Sequence, residues 1–167
     1  MNYSVIDNFL DDDIFNPLDE YLNDALTPWF YKSKTTDFKE NDISWFGNTF
    51  YEFSKPVNFK FDDYIPPILH KLNVRSLIRV QCNLTLKSES TKLDYTNWHV
   101  DYPYEDSKTA ILYMNTNNGC TVLKDNDKEH EINSIRNRIL IFPTNTFHRI
   151  KLHSDTEKRI VINFNYF

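Results

Sequence analysis

The chain has 167 residues, a formal net charge of −5, 16% aromatic residues and only 2 glycines. No basic stripe interrupts the acidic balance, which argues against an extended nucleic-acid surface and leaves room only for a small local pocket. No apolar run approaches the roughly 20 residues that span a bilayer, and residues 1–9 are mixed and acidic, unlike a secretion signal. Cys82 and Cys120 lack metal-ligand spacing and read as the free thiols of a cytoplasmic protein. The length suits one domain over 1–167, divided into a helical support region over 1–74 and a β core over 75–167. With so few glycines, turns that need positive φ must fall to Asn and Asp, as at 115–118 and 125–127.

In chain order, residues 3–6 form a short apolar strand-like opening. Asp11 or Asp12 can cap a helix over 12–26, with Ile14, Phe15, Leu18, Tyr21, Leu22 and Leu26 as one apolar stripe and Pro17 tolerated near its start. Residues 29–31 and 49–53 read as strands joined by a polar loop. Asp62 and Asp63 open a second helix, firm over 65–72, although Pro66 and Pro67 are awkward there. After Asn73 short β-branched and aromatic runs alternate with polar turns, at 77–86, 97–101, 109–115, 121–123, 139–142, 147–152 and 159–167. Helices first and strands last exclude a βαβ chain. They predict an all-β core, α+β overall: a jelly roll backed by N-terminal helices.

One pattern carries chemistry. His99 and Asp101 are two residues apart, so they share one face of an extended segment, and Pro103 ends that segment just beyond. A third donor from a distant stretch would complete two imidazoles and a carboxylate on one side of an ion, the arrangement suited to non-haem Fe(II) with positions left open for oxygen. His148 supplies it, because counting by twos sets it with Ile150 and Leu152 on an apolar, inward face. The rival, His153, points the other way and opens the polar turn 154–158. His130 sits in a solvated charge cluster over 127–131, and His70 packs or faces solvent in the second helix.

Arg159 begins the last run and shares a face with Val161, Asn163 and Asn165. It is either a surface arginine ending a turn or a cavity cation that needs a carboxylate. Tyr113 shares a face with Ile111 and Asn115, either to reach the same carboxylate or to form a cross-strand aromatic pair. Arg79, Gln81 and Asn83 share a face of 77–86, as cavity lining or as an exposed edge.

Five pieces of this text, taken in order, resemble the Fe(II)/2-oxoglutarate-dependent dioxygenases. They are Trp98-His99-Val100-Asp101, Lys108-Thr109-Ala110-Ile111-Leu112-Tyr113-Met114-Asn115-Thr116, Asn137-Arg138-Ile139-Leu140-Ile141-Phe142-Pro143, His148, and Lys158-Arg159-Ile160-Val161-Ile162-Asn163. The likeness covers about residues 75–167 and is closest to the prolyl-4-hydroxylase-like branch, especially its small single-domain viral or phage members. It implies a double-stranded β-helix (cupin-like), with iron on His99, Asp101 and His148. It implies 2-oxoglutarate held at its far carboxylate by Arg159 and Tyr113, and molecular oxygen as co-reactant. Asn83 would be a further polar pocket residue, Ile111, Ile150 and Val161 would wall the cosubstrate, and Asn163 and Asn165 would face the cavity nearer the substrate.

Asn165 stands where the alkylated-base demethylase branch carries a second arginine, which turns the reading away from nucleobase repair. Asp101 is retained where the halogenating branch has a small residue, so hydroxylation is implied. The expected substrate is a protein or peptidyl residue such as proline, with a small metabolite or nucleobase as the alternative. A third reading is a non-catalytic jelly-roll binding module. Loops 35–44 and 87–96 are candidate lids. Oligomeric state is not legible.

Overall fold

The computed structural model describes residues 2–33, 43–87 and 95–167; most of both candidate lids lies outside them. The chain runs β1 (Ser4–Ile6), α1 (Asp12–Asn23), β2 (Phe30–Lys32), β3 (Trp45–Glu52), β4 (Lys55–Pro56), α2 (Phe61–Lys71) and β5 (Leu77–Leu86). It continues β6 (Lys108–Tyr113), β7 (Cys120–Asp125), β8 (Lys128–Asn133), β9 (Arg138–Pro143), β10 (His148–Lys151) and β11 (Lys158–Tyr166). A large antiparallel sheet has the order β1-β9-β6-β11-β5-β3-β2, with β4 paired to β3, and a smaller one has the order β10-β7-β8. This is the jelly roll expected from the strand-rich C-terminal half.

The period of two in the central strands sorts their side chains into two layers. Val80, Cys82, Leu84, Ala110, Leu112, Ile160, Ile162 and Phe164 face outward and join Phe15, Leu18 and Leu22 of α1 and Ile65 and Ile68 of α2 in one apolar cluster. The opposite face packs Ile111, Tyr113 and Val161 against Leu123, Ile132, Leu140 and Phe142. The helices therefore back the large sheet, and its other face is left to build a cavity with the small sheet.

Several local expectations need correction. The first helix stops at Asn23, and Leu26 is 91% exposed. Asp24 turns extended there, its carboxylate accepts from the Leu26 N–H at 2.7 Å, and the apolar stripe ends. Neither Asp11 nor Asp12 caps this helix through its side chain: the Asp11 carbonyl receives the Ile14 and Phe15 N–H groups, and its carboxylate lies 3.8 Å from Lys71. Pro66 and Pro67 do lie inside α2, on its exposed face. The charge cluster at 127–131 is largely strand β8. It reads as polar because it edges the small sheet, where charged side chains are usual, while Ile132 turns inward.

Residues 97–101 are not a strand. The segment meets β10 through isolated pairs at Tyr95–Lys151 and His99–His148. Positive φ does fall mainly to Asn and Asp, at Asn8, Asn73, Asp106, Asn126 and Asn137, and to no glycine. The turn at 115–118 needs none, because the Asn117 side chain accepts from the Gly119 N–H at 3.0 Å. Phe53 and Ser54, with φ of 55° and 60°, make the two-residue turn between β3 and β4 in the form that suits twisted strands.

Both cysteines are free and buried. Burial pushes the Cys82 thiol well above its ordinary range and that of Cys120 up to about 11. Thiolate is the reactive form. Ellman's reagent at pH 8 is expected to label neither thiol in the folded protein and both after unfolding in guanidinium.

Candidate metal and cosubstrate centre

The inner face of the large sheet is built in register. Arg159 lies opposite Thr85, Val161 between Asn83 and Tyr113, Asn163 between Gln81 and Ile111, and Asn165 between Arg79 and Thr109. Since β5 is an interior strand, Arg79, Gln81 and Asn83 line a cavity and not an exposed edge. The cavity measures about 230 Å³, and Ile111, Ile150, Val161 and Asn163 also line it.

At one end His99, Asp101 and His148 converge, with one donor atom from each lying within 4.8 Å of the others. The Nε2 atoms of His99 and His148 stand 4.0 and 3.7 Å from Asp101 Oδ1. Each Nδ1 faces a backbone carbonyl, Asn97 for His99 at 3.2 Å and Thr146 for His148 at 3.0 Å. A carbonyl only accepts, so each Nδ1 carries the proton and each Nε2 keeps its lone pair for a cation. Phe142 packs edge-on against the His148 ring at 5.1 Å.

Asp101 is buried, yet its other oxygen is well held. Oδ2 accepts from Asn165 Nδ2 at 2.8 Å and Thr109 Oγ1 at 3.0 Å, and Thr109 is in turn 2.7 Å from Thr144 Oγ1. Burial by itself would raise the Asp101 carboxyl. In the acid range where it titrates, protonated His148, Arg79, the Asn165 amide and protonated His99 outweigh it and hold the group below the usual carboxylate value. The carboxylate thus presents Oδ1 alone to the two imidazoles. Asn165, expected to face the substrate, is fully buried and holds Asp101. Its role follows from register with Thr109, which spacing along one strand does not reveal. Asn165→Leu is expected to weaken divalent-metal affinity about tenfold, measured by calorimetry with Co(II), because supporting partners of ligands cost that order.

At the other end lies Arg159, 2% exposed. Its Nε donates to Ser134 Oγ at 3.0 Å and its NH2 to Thr121 Oγ1 at 3.4 Å. Both partners are neutral, and among the described residues no carboxylate lies within ion-pair distance of it. Burial lowers its pKa from the ordinary arginine value. A buried cation without an acid is costly, and a bound carboxylate would answer it. Tyr113 sits under this guanidinium, 5.6 Å from ring centre to Cζ, but its hydroxyl donates to Thr121 Oγ1 at 2.8 Å. It is fully buried, with its hydroxyl pushed up to about 12, and is not a lining residue of the cavity.

Asn115 lies past the end of β6 and ties β11: its amide donates to the Lys158 carbonyl and its oxygen accepts from the Ile160 N–H. His153 does not join the three donors. It is buried beneath the polar turn, not turned out to it, and burial followed by the Arg159 charge lowers its pKa. No periodicity along the chain points to Ser134 and Thr121, because they reach Arg159 only where the small sheet packs against the inner face of the large one.

No protein-family model matches the sequence, and comparison with curated proteins finds no match. Solved structures do match. An oxidoreductase of the 2OG-Fe(II) oxygenase family from Burkholderia pseudomallei superimposes with a TM-score of 0.73 at 12% identity, covering 98% of this chain and 84% of its own. A prolyl hydroxylase from Trichoplax adhaerens, solved with a hypoxia inducible factor oxygen degradation domain peptide fragment, gives 0.71 at 18% identity, over 99% and 83%. The non-haem alpha ketoglutarate dependent epimerase SnoN from nogalamycin biosynthesis gives 0.68 at 13% identity, over 99% and 78%. The fold is therefore that of the 2OG-Fe(II) oxygenases, prolyl hydroxylases among them. At these identities the likeness is one of fold.

Proposed function

We propose that this chain is an Fe(II)- and 2-oxoglutarate-dependent dioxygenase that hydroxylates an unactivated C–H bond of a peptidyl residue such as proline. The observation that supports it most is the pairing, in one cavity, of a three-donor cluster with a buried arginine that has no acid partner among the described residues. The donor set of two neutral imidazoles and one carboxylate suits Fe(II). His99, Asp101 and His148 would hold the metal, and Arg159 the far carboxylate of 2-oxoglutarate. Iron with the oxoacid and oxygen supplies the oxidising power, at the cost of decarboxylating the oxoacid to succinate.

The chain's own residues orient and exclude. Asn165 favours the ionised form of Asp101, and Thr109 with it fixes the direction of the carboxylate. Ser134 and Thr121 fix the Arg159 guanidinium, and Tyr113 forms the floor beneath it. Ile111, Ile150 and Val161 form apolar walls that displace water from the cosubstrate. Asn83 and Asn163, whose side-chain oxygens are buried with no partner among the described residues, offer acceptors to bound molecules. Arg79, Gln81 and Trp45 line the remainder, on the side left for substrate. The peptide reading draws on the prolyl hydroxylases that share the fold; the same chemistry on a small molecule draws on the epimerase that also shares it.

The test supplies Fe(II), ascorbate, 2-oxoglutarate and oxygen, with proline-containing peptides and a metabolite extract in parallel. Mass spectrometry follows succinate release and oxygen incorporation. Succinate formed in step with an oxygen added to a peptide supports the reading. Oxygen added only to a metabolite overturns the peptide choice, and no succinate under any condition overturns the enzyme.

A further inference from the structure

His99 reaches the cavity without a strand to carry it. Between the pairs Tyr95–Lys151 and His99–His148 its segment advances four residues while β10 advances three, so the backbone ladder is interrupted by one extra residue. Backbone pairing survives at the two His residues, which exchange N–H···O bonds of 3.0 and 2.9 Å. Thr96 adds a further tie to Ile150.

Side chains bridge the interruption on the outer face. The Arg149 guanidinium lies between two rings, 4.1 Å from the centre of Tyr95 and 4.3 Å from that of Trp98. Lys151 extends the series past Tyr95 at 5.8 Å, and Lys124 past Trp98 at 5.7 Å. The ladder thus alternates cation and ring. Acids on β8 anchor it: Glu129 Oε2 accepts from Arg149 NH2 at 2.9 Å, and Glu131 lies 3.4 Å from Lys151 Nζ and accepts from the Tyr95 hydroxyl at 3.3 Å. Arg149 Nε is buried with no hydrogen-bond partner among the described residues. The guanidinium gives up that hydrogen bond for stacking, which planar Arg does better than Lys.

Arg149 adjoins His148, and Trp98 adjoins His99. His148 and His99 line the cavity, whereas Arg149 and Trp98 do not. Stacking Arg149 on Trp98 outside therefore sets the relative position of the two imidazoles inside, whose ring centres are 4.3 Å apart. We propose that Arg149, clasped by Tyr95 and Trp98, is a positioning residue of the metal centre that holds His99 in register with His148 and Asp101. The inference rests on the metal reading above.

The full chain, freed of metal, is titrated with Co(II) by calorimetry and visible absorption. Wild-type binding itself reports on the metal reading, and its absence sinks that reading and this one together. Given wild-type binding, Arg149→Leu is expected to weaken Co(II) affinity about tenfold, in the range that supporting residues command. Its cobalt spectrum should shift toward that of His99→Ala, and Arg149→Lys should recover part of the affinity. Trp98→Leu provides the same test should Arg149→Leu fail to fold. Wild-type affinity and an unchanged spectrum in the folded variant overturn the proposal, as does a loss that Arg149→Lys leaves wholly unrepaired.

Discussion

Replacing Asp101 with asparagine is expected to abolish turnover and to lower Co(II) or Fe(II) affinity by more than about 100-fold, beyond the loss typical of supporting residues. The amide is nearly isosteric, so Asn165 Nδ2 and Thr109 Oγ1 keep an oxygen to bond and the fold survives. What disappears is the one negative charge set between two neutral imidazoles. The substitution also has a signature without metal. In the native protein the Asp101 carboxyl is held below its usual value of 3.8, so the folded state favours the ionised form. That contribution to stability is complete above the unfolded value and is lost as pH falls through the folded one. Asp101→Asn should remove this part of the acid limb, read from denaturant melts of metal-free protein between pH 5 and pH 2. An acid limb identical to wild type, together with retained metal affinity, would mean that Asp101 is a bystander.

Arg159→Met separates binding from stability in the opposite sense. In the ligand-free protein a fully buried guanidinium is held by two hydroxyl groups and, among the described residues, by no acid. Removing it abandons those two bonds but also relieves a desolvated charge, so the ligand-free stability is expected to stay within about 1 kcal/mol of wild type. Affinity for 2-oxoglutarate should fall by about 2–4 kcal/mol, roughly 30- to 1,000-fold, as when one partner of a buried charged pair is lost. Denaturant melts with and without 2-oxoglutarate read both quantities. A variant several kcal/mol less stable that still binds the oxoacid normally would make Arg159 a structural residue.

The site was more legible than the scaffold around it, for physical reasons. His99 and Asp101 are two residues apart, a spacing that leaves both on one side when the chain is extended, although here the segment bends at Asp101 and Val100 lines the same cavity. The expected strand at 97–101 is absent, and the pair converges all the same. His148 is separable from His153 by alternation with Ile150, although alternation turns His153 out toward the polar turn, whereas in the structure it is buried. Arg159 was suspect because Asn163 and Asn165 share its face. Whether that face met water or a cavity depended on pairing with β5 and β6, which no periodicity encodes.

The same blindness hid Asn165, Thr109 and Ser134, each of which acts across strands. Nor does periodicity reveal that the Tyr113 hydroxyl donates to Thr121 in the ligand-free protein. β8 was missed because an edge strand has only one buried flank and reads as charge, and Leu26 was miscounted because a local Asp24 turn overrides the helical period. The ladder through Arg149 left no sequence signal beyond aromatic residues near a histidine.

The central claim is that one cavity holds a metal on His99, Asp101 and His148 and a 2-oxoglutarate anchored at Arg159. Its most direct test is the visible spectrum of the protein mixed anaerobically with Fe(II) and 2-oxoglutarate. Wild type should develop the weak charge-transfer band of an iron–oxoacid chelate. His99→Ala and Asp101→Ala should lose it, and Arg159→Met should show it only at much higher 2-oxoglutarate. A wild-type protein that binds neither metal nor oxoacid and shows no band would contradict the account and leave a jelly roll with a polar interior.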